Sequence, residues 1–166
     1  MRRNQMLPKV RTILYACDLE PRTNQAMEMV MNLAISNQAK VVIMHAMEPI
    51  TAQAANMIHN YISDESIQEM REDAVRSTLD RMQTYLRDFM EAHSEDVKEL
   101  PATPELEVVH GIPAEAIELT AEKVGADLIV MNSRTHSRIG QMVIGSTANK
   151  VVHHSRVPVL VVPILK

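Results

Sequence analysis

The chain has no tryptophan, one phenylalanine and three tyrosines among 166 residues. So few rings leave little platform on which bases could stack, and no Lys/Arg block interrupts the 17 basic and 21 acidic residues, a net charge of −4. Both features argue against a general nucleic-acid binder. Cys17 is the single cysteine, which excludes disulfide frameworks and CxxC metal or redox sites within one chain and fits a reducing compartment. No apolar run approaches the roughly 18 residues of a membrane span, and the run after Arg2 and Arg3 is too short for a signal sequence. The chain reads as soluble and cytoplasmic, with neither a membrane nor a nucleic-acid partner. Its four glycines form no GxGxxG turn, GxxxxGK[ST] loop or GxSxG elbow, so dinucleotide, P-loop and hydrolase readings lack their mechanical parts. No spacing of Ser, His and acid selects a catalytic residue set, and the seven histidines show no HxxxH or HExxH, so no metal site is expected.

What is present is enough apolar material, 46% of residues, for one domain with a full core. Residues 1–8 read as an N-terminal extension and 9–166 as a single domain. Residues 9–18 form a short apolar run that stops at Asp18, as a strand buried on both faces would. Residues 21–37 place Ala26, Met29, Val30, Leu33 and Ala34 at helical spacing, with Thr23 or Asn24 available as N-cap. A second strand is expected at 39–47, followed by a weak pattern over 48–60. One long helix follows at 64–93, then a loop over 94–104. Further strands are expected at 105–109, 126–131 and 157–165, with helices at 114–124, where Pro113 suits the first turn, and at 145–154.

This alternation predicts an α/β fold, a single-domain doubly wound five-stranded parallel sheet with helices on both faces, Rossmann-like in type. Ligands of such sheets sit beyond the carboxyl ends of the strands, which selects Asp18, Ala46, His110-Gly111 and the segment from Asn132 onward. That segment ends in Gly145-Ser146-Thr147 where a helix begins. A glycine with following hydroxyls at a helix N-terminus can cradle phosphate through backbone N–H groups and the helix dipole. Alternatively, Ser146 or Thr147 is an N-cap and Gly145 a turn residue. Arg134 and Arg138 are either a solvated loop pair or a fork onto phosphate oxygens. His45 reads as a hydrogen-bonded core histidine, Cys17 as a small core residue, and the thirteen methionines as core filling by default, with an adaptable contact surface as the alternative.

The first strand ending in an acid, the turn His110-Gly111-Ile112-Pro113, the apolar strand after Asp127, and Gly145-Ser146-Thr147 followed by Val157-Pro158-Val159-Leu160-Val161-Val162 together resemble the universal stress protein family. The resemblance implies an adenine nucleotide alpha hydrolase-like fold. It also implies a stress-response regulatory protein that binds ATP or AMP without rapid turnover, with Mg²⁺ as a possible companion. It assigns the nucleoside to Asp18 beside Ala16, adenine to backbone groups of Ala46, and phosphates to Gly145, Ser146 and Thr147, with Gly111 nearby. The nucleotide-binding branch carries Gly, two residues, Gly, nine residues, Gly-Ser/Thr. Here the first two glycine positions are Asn132 and Thr135. The family's proline two residues before the acid is Ala16, and its Gly-Ser after the acid is Leu19-Glu20.

The last strand is apolar and terminal, and its edge would stay exposed unless paired, which predicts a homodimer through Val157, Val159 and Val161. Pro158 and Pro163 limit its ladder bonds. Two other functions fit the same residues. One is a nucleotide-free dimeric interaction scaffold that docks partners on the long helix. The other is a slow ATPase or nucleotidyl transferase in which Asp18 holds Mg²⁺ and Arg134 stabilises charge.

Overall fold

The structure, a computed structural model, describes residues 7–20, 24–133 and 144–164. The first apolar run forms β1 (Thr12–Ala16), whose Ile13, Leu14 and Tyr15 are completely buried. Adjacent strand residues point to opposite faces, so this burial requires cover on both sides of the sheet. β1 pairs in parallel with β2 (Lys40–Met47) on one side and with β4 (Leu128–Ser133) on the other. β3 (Glu105–His110) extends the sheet beyond β2, and β5 (Val159–Pro163) beyond β4. The order is β3-β2-β1-β4-β5, the doubly wound arrangement expected.

The helices are α1 (Asn24–Asn37), α2 (Ala52–His59), α3 (Asp64–Ala92), α4 (Pro113–Val124) and α5 (Ser146–His154). One apolar layer joins Ile13, Tyr15, Val41, Ile43 and Val130 to Ala26, Met27 and Val30 of α1 and Met82, Leu86 and Phe89 of α3. The opposite layer joins Leu14, Val42, Met44, Ile129 and Met131 to Ile117 and Ala121 of α4 and Ala148 and Val151 of α5. Met27, Met31, Met44, Met82 and Met131 fill these cores, while Met29, Met57 and Met70 face solvent.

Local chemistry sets the boundaries. Ser63 caps α3 by accepting from the Ser66 N–H (3.3 Å), and Asp64 and Glu65 lie in its first turn, where negative charge favours the helix dipole. Pro113 occupies the start of α4, and Gly125 closes it at φ 64°, donating to the carbonyls of Ala121 and Glu122. The helix α2 has no counterpart in the sequence pattern. Thr51 caps it by accepting from Ala54 N–H (3.3 Å), and none of its residues is buried. A 3-10 turn at Asp96–Glu99 lies within the expected loop. Thr23 lies outside the described residues, and Asn24 begins α1 rather than capping it.

The strand expected at 126–131 runs instead over Leu128–Ser133. Asp127 just precedes it, its N–H donating to the Thr12 carbonyl (2.9 Å) and its carboxylate accepting from the backbone N–H groups of Arg11 (2.8 Å) and Thr12 (3.0 Å). The ladder then continues through the polar pair Asn132 and Ser133. The last strand is shorter than its apolar run at both ends. Among the described residues no helix is long and apolar enough to cross a membrane.

Gly125 has open space where a Cβ would sit, so its conformation alone constrains it. Gly125→Ala is expected to lower the unfolding free energy by about 1 kcal/mol and Gly125→Asn by roughly half as much, read by urea denaturation.

Candidate functional site

β1 and β4 are neighbours, but the chain leaves β1 toward α1 on one face and β4 toward α5 on the other. Their carboxyl ends therefore border a crevice that no connection crosses among the described residues. A cleft of about 220 Å³ opens there. Ala16, Cys17 and Asp18 line it from the end of β1, Met44, His45 and Ala46 from β2, and Met131 and Asn132 from β4. Glu48 and Pro113 close one side, and Gly145, Ser146, Thr147 and Ala148 bring in the start of α5. A second pocket shares Glu48, Pro113, Ser146 and Thr147 with it and adds Lys150 and Ile112. The two form one groove around the α5 N-terminus.

The helix start differs from the capping alternative. Gly145 itself takes the N-cap position at φ −57°, its carbonyl accepting from Asn149 N–H (2.9 Å), and neither Ser146 nor Thr147 caps the helix. Ser146 is already the first helical residue, so its hydroxyl is one position too late to cap. The first turn of α5 therefore meets the cleft with no side-chain acceptor at its N-cap. Backbone donors, the positive end of the dipole and two hydroxyls suit an anion.

Asp18 follows β1 and its Oδ1 accepts from Glu20 N–H (3.3 Å), a tight turn that holds the carboxylate at the cleft. Leu19, where the family resemblance expects glycine, has φ 58°. The backbone keeps the glycine-like conformation without the glycine, at a steric cost of about 1 kcal/mol. Leu19 packs against the α1 and α3 layer. His45 is half-buried and its Nδ1 lies 2.7 Å from the Cys17 carbonyl oxygen. A carbonyl only accepts, so Nδ1 carries the hydrogen, and in the neutral ring Nε2 is an acceptor.

Of the residues expected at the site, Ala16, Asp18, Ala46, Asn132, Gly145, Ser146 and Thr147 share this one cleft. Gly111 does not line it. Its N–H donates to the Met47 carbonyl (3.0 Å), extending the β2–β3 pairing. Arg134 and Thr135, with Arg138, lie outside the described residues. Among the described residues the cleft wall carries no Lys or Arg, and no group of three His, Cys, Asp or Glu could hold a metal ion. His45 and Cys17, expected as core residues, also border the cleft. Their places at strand carboxyl ends were the signal.

The model of the universal stress protein family matches residues 9–163. The chain belongs to the universal stress protein family. Universal stress protein YxiE of Bacillus subtilis is 28% identical over 151 residues, covering 90% of this chain and 97% of that one. A universal stress protein of Thermus aquaticus, from the 3′ region of the QAH/OAS sulfhydrylase gene, is 29% identical over 152 residues, 92% of this chain and 98% of its own. Among solved structures, the protein MJ0577 superposes with a TM-score of 0.67 at 20% identity, covering 96% of this chain and 99% of that chain. A universal stress protein in complex with cAMP gives a TM-score of 0.58 at 19% identity, covering 95% of this chain and 100% of that one. The Archaeoglobus fulgidus universal stress protein in complex with dAMP gives 0.51 at 17%, covering 94% and 98%. At these identities the structural likeness establishes a shared fold.

Burial pushes the Cys17 thiol of this universal stress protein up from 9.0 to about 11, and burial likewise raises the Tyr15 phenol. Both groups favour the neutral form in the folded state. Their contribution to stability is complete below the unfolded-state value and is lost as pH rises toward the folded-state value. Stability is therefore expected to fall between about pH 9 and 11, and Cys17→Ala to remove roughly 2 kcal/mol of that fall, measured by denaturation at each pH. In the native protein at pH 8 the thiol is expected to react with a disulfide reagent only as fast as the protein opens.

Proposed function

We propose that this universal stress protein binds an adenine nucleotide, ATP or AMP, in the β1–β4 cleft without rapid turnover, and acts as a cytoplasmic regulator of stress responses. The observation that carries this reading is the meeting of Asp18, the β2 backbone at Ala46 and the α5 N-terminus in one cleft at the point where strand order reverses. A nucleotide has matching parts: hydroxyls for a carboxylate to accept from, a base edge for backbone groups, and phosphates for helix amides. The dAMP and cAMP complexes of proteins with the same fold support it. Any Mg²⁺ would travel with the phosphates, since the described wall offers a single carboxylate on each side, Asp18 and Glu48.

Heat denaturation of purified protein with chromatography of the supernatant tests this directly. Thermal unfolding with millimolar Mg-ATP or AMP adds a second readout, because ligand at 100 times Kd raises stability by about 2.7 kcal/mol. The shift is expected to disappear in Gly145→Val, whose branched side chain would stand at the N-cap position beside the α5 amides. Empty protein with no shift favours the nucleotide-free scaffold.

We further propose that the protein is a homodimer through β5. Ile129 pairs with Val159, and Ile129 N–H donates to the Pro158 carbonyl (2.9 Å). In a parallel ladder of that phase the N–H and C=O groups of Val159 and Val161 point away from β4 toward the free edge. Pro163 falls on the same outward phase, where its missing N–H costs the sheet nothing. The side chains of Val157, Val159 and Val161 pack on the α4 and α5 layer, so the backbone edge is the surface left for a second copy. Val161→Pro removes an outward donor without touching the β4 ladder. It is expected to convert dimer to monomer by sedimentation with an unchanged circular dichroism spectrum.

A further inference from the structure

The sheet has two edges, and β3 forms the one opposite β5. Gly111 N–H donates to the Met47 carbonyl (3.0 Å), and Met47 stands across from His110 in the register. In a parallel ladder of that phase, Glu105, Glu107 and Val109 turn their backbone groups to β2, while the N–H and C=O groups of Leu106, Val108 and His110 point away from the sheet. Among the described residues none of these outward groups has a hydrogen-bond partner. The strand is 6 residues long, contains no proline and pairs with β2 without interruption. An edge of that kind is a template for one more strand.

The side chains beside this edge are acidic and apolar. Glu105 is exposed and makes no ion pair among the described residues. Glu107 is paired with Lys123 of α4, which shows that this row of the helix faces β3. One turn earlier in the same row, Leu119 is 67% exposed, and Glu115 lies a turn earlier still. A second copy of the chain would bring its own Glu105 and Glu107 to the junction, so like charge opposes pairing of β3 with itself.

We propose that the β3 edge docks an extended basic segment of a partner protein, added to the sheet as a sixth strand. A Lys or Arg of that segment pairs with Glu105, and an apolar side chain rests on Leu119. The two fall at even spacing, because Glu105, Glu107 and Val109 share the face that α4 covers. Main-chain bonds supply the affinity of such an addition and alternate side chains its selectivity. The proposal is independent of the nucleotide reading, since β2 separates this edge from β1, and a dimer through β5 leaves it free.

Selection of a displayed random heptapeptide library on the immobilised 166-residue chain tests it. Enriched peptides are expected to carry Lys or Arg and a branched apolar residue at even spacing, with no proline between them. For the strongest of these, made synthetically, N-methylation of alternate residues in one phase is expected to weaken binding at least about tenfold by fluorescence anisotropy, the worth of one hydrogen bond. Methylation in the other phase is expected to leave binding unchanged. Glu105→Lys, on the solvent side of the edge, is expected to weaken binding of the same peptide by a similar factor. No enrichment, enrichment of acidic or proline-rich peptides, equal sensitivity to methylation in both phases, or unchanged affinity in Glu105→Lys overturns the proposal.

Discussion

The pairing of β1 with β2 on one side and β4 on the other is the constraint from which the remaining structure follows. It places Ile13, Leu14 and Tyr15 beyond reach of water on both faces, so helices must cover both. It also sends successive crossovers in opposite directions, and the crevice is the space that this divergence leaves. Register matters as much as order. Tyr15 stands opposite Ile43 and Val130, and its hydroxyl reaches Asn132. A slip of one residue would exchange Tyr15 with Leu14 between the two layers and leave a buried hydroxyl without its acceptor.

The crevice wall carries both donors and acceptors. The α5 N-terminus, Ser146 and Thr147 supply hydrogen-bond donors, whereas Asp18 and Glu48 supply acceptors. A ligand that is anionic at one end and carries hydroxyl or amino donors at the other would satisfy both. A simple anion would meet the helix terminus but also the field of two carboxylates, and a simple cation the reverse. Lys150 lines the adjoining pocket together with Glu48, so positive charge enters the groove beyond the first helical turn.

The sheet was legible because its apolar strands are buried on both sides and read as short runs ended by polar or turn residues. α1, α3 and α4 were legible because each presents one face to a layer, with Pro113 and Gly125 marking the ends of α4. α2 has only 8 residues, about two turns, too few for a helical period to stand out. β4 was placed two residues early because Asn132 and Ser133 continue a ladder that apolar character does not announce. At the site, Asp18, Ala46 and Gly145 were found from their positions at element ends and from the family resemblance. Ser146 was left open between N-cap and phosphate contact, a distinction that depends on one residue of helix phase, and it is the first helical residue. The Asn132 amide could not be read at all, since its orientation is set by Tyr15 in a strand that is distant along the chain.

Departures from local rules are not scattered over this fold. At the amino end of the sheet, Asp127 ties down the backbone before β1, Lys40 N–H donates to the Arg11 carbonyl, and Gly125 supplies the left-handed turn that α4 needs. Gln38, between α1 and β2, is the exception there at φ 51°. At the carboxyl end, Leu19 sits in a conformation that disfavours it, α5 starts without a side-chain cap, and Asn132 Nδ2 and Ser133 Oγ are buried without partners. Each of these costs about 1 kcal/mol or more, a sizeable share of the stability of a small domain. The fold carries them because both faces of the central strands are buried, and that burial is indifferent to what lies beyond the strand ends. Among the described residues, the buried unpaired polar atoms lie on the carboxyl edge beside an uncapped helix start, and they mark where the chain is shaped for something other than itself.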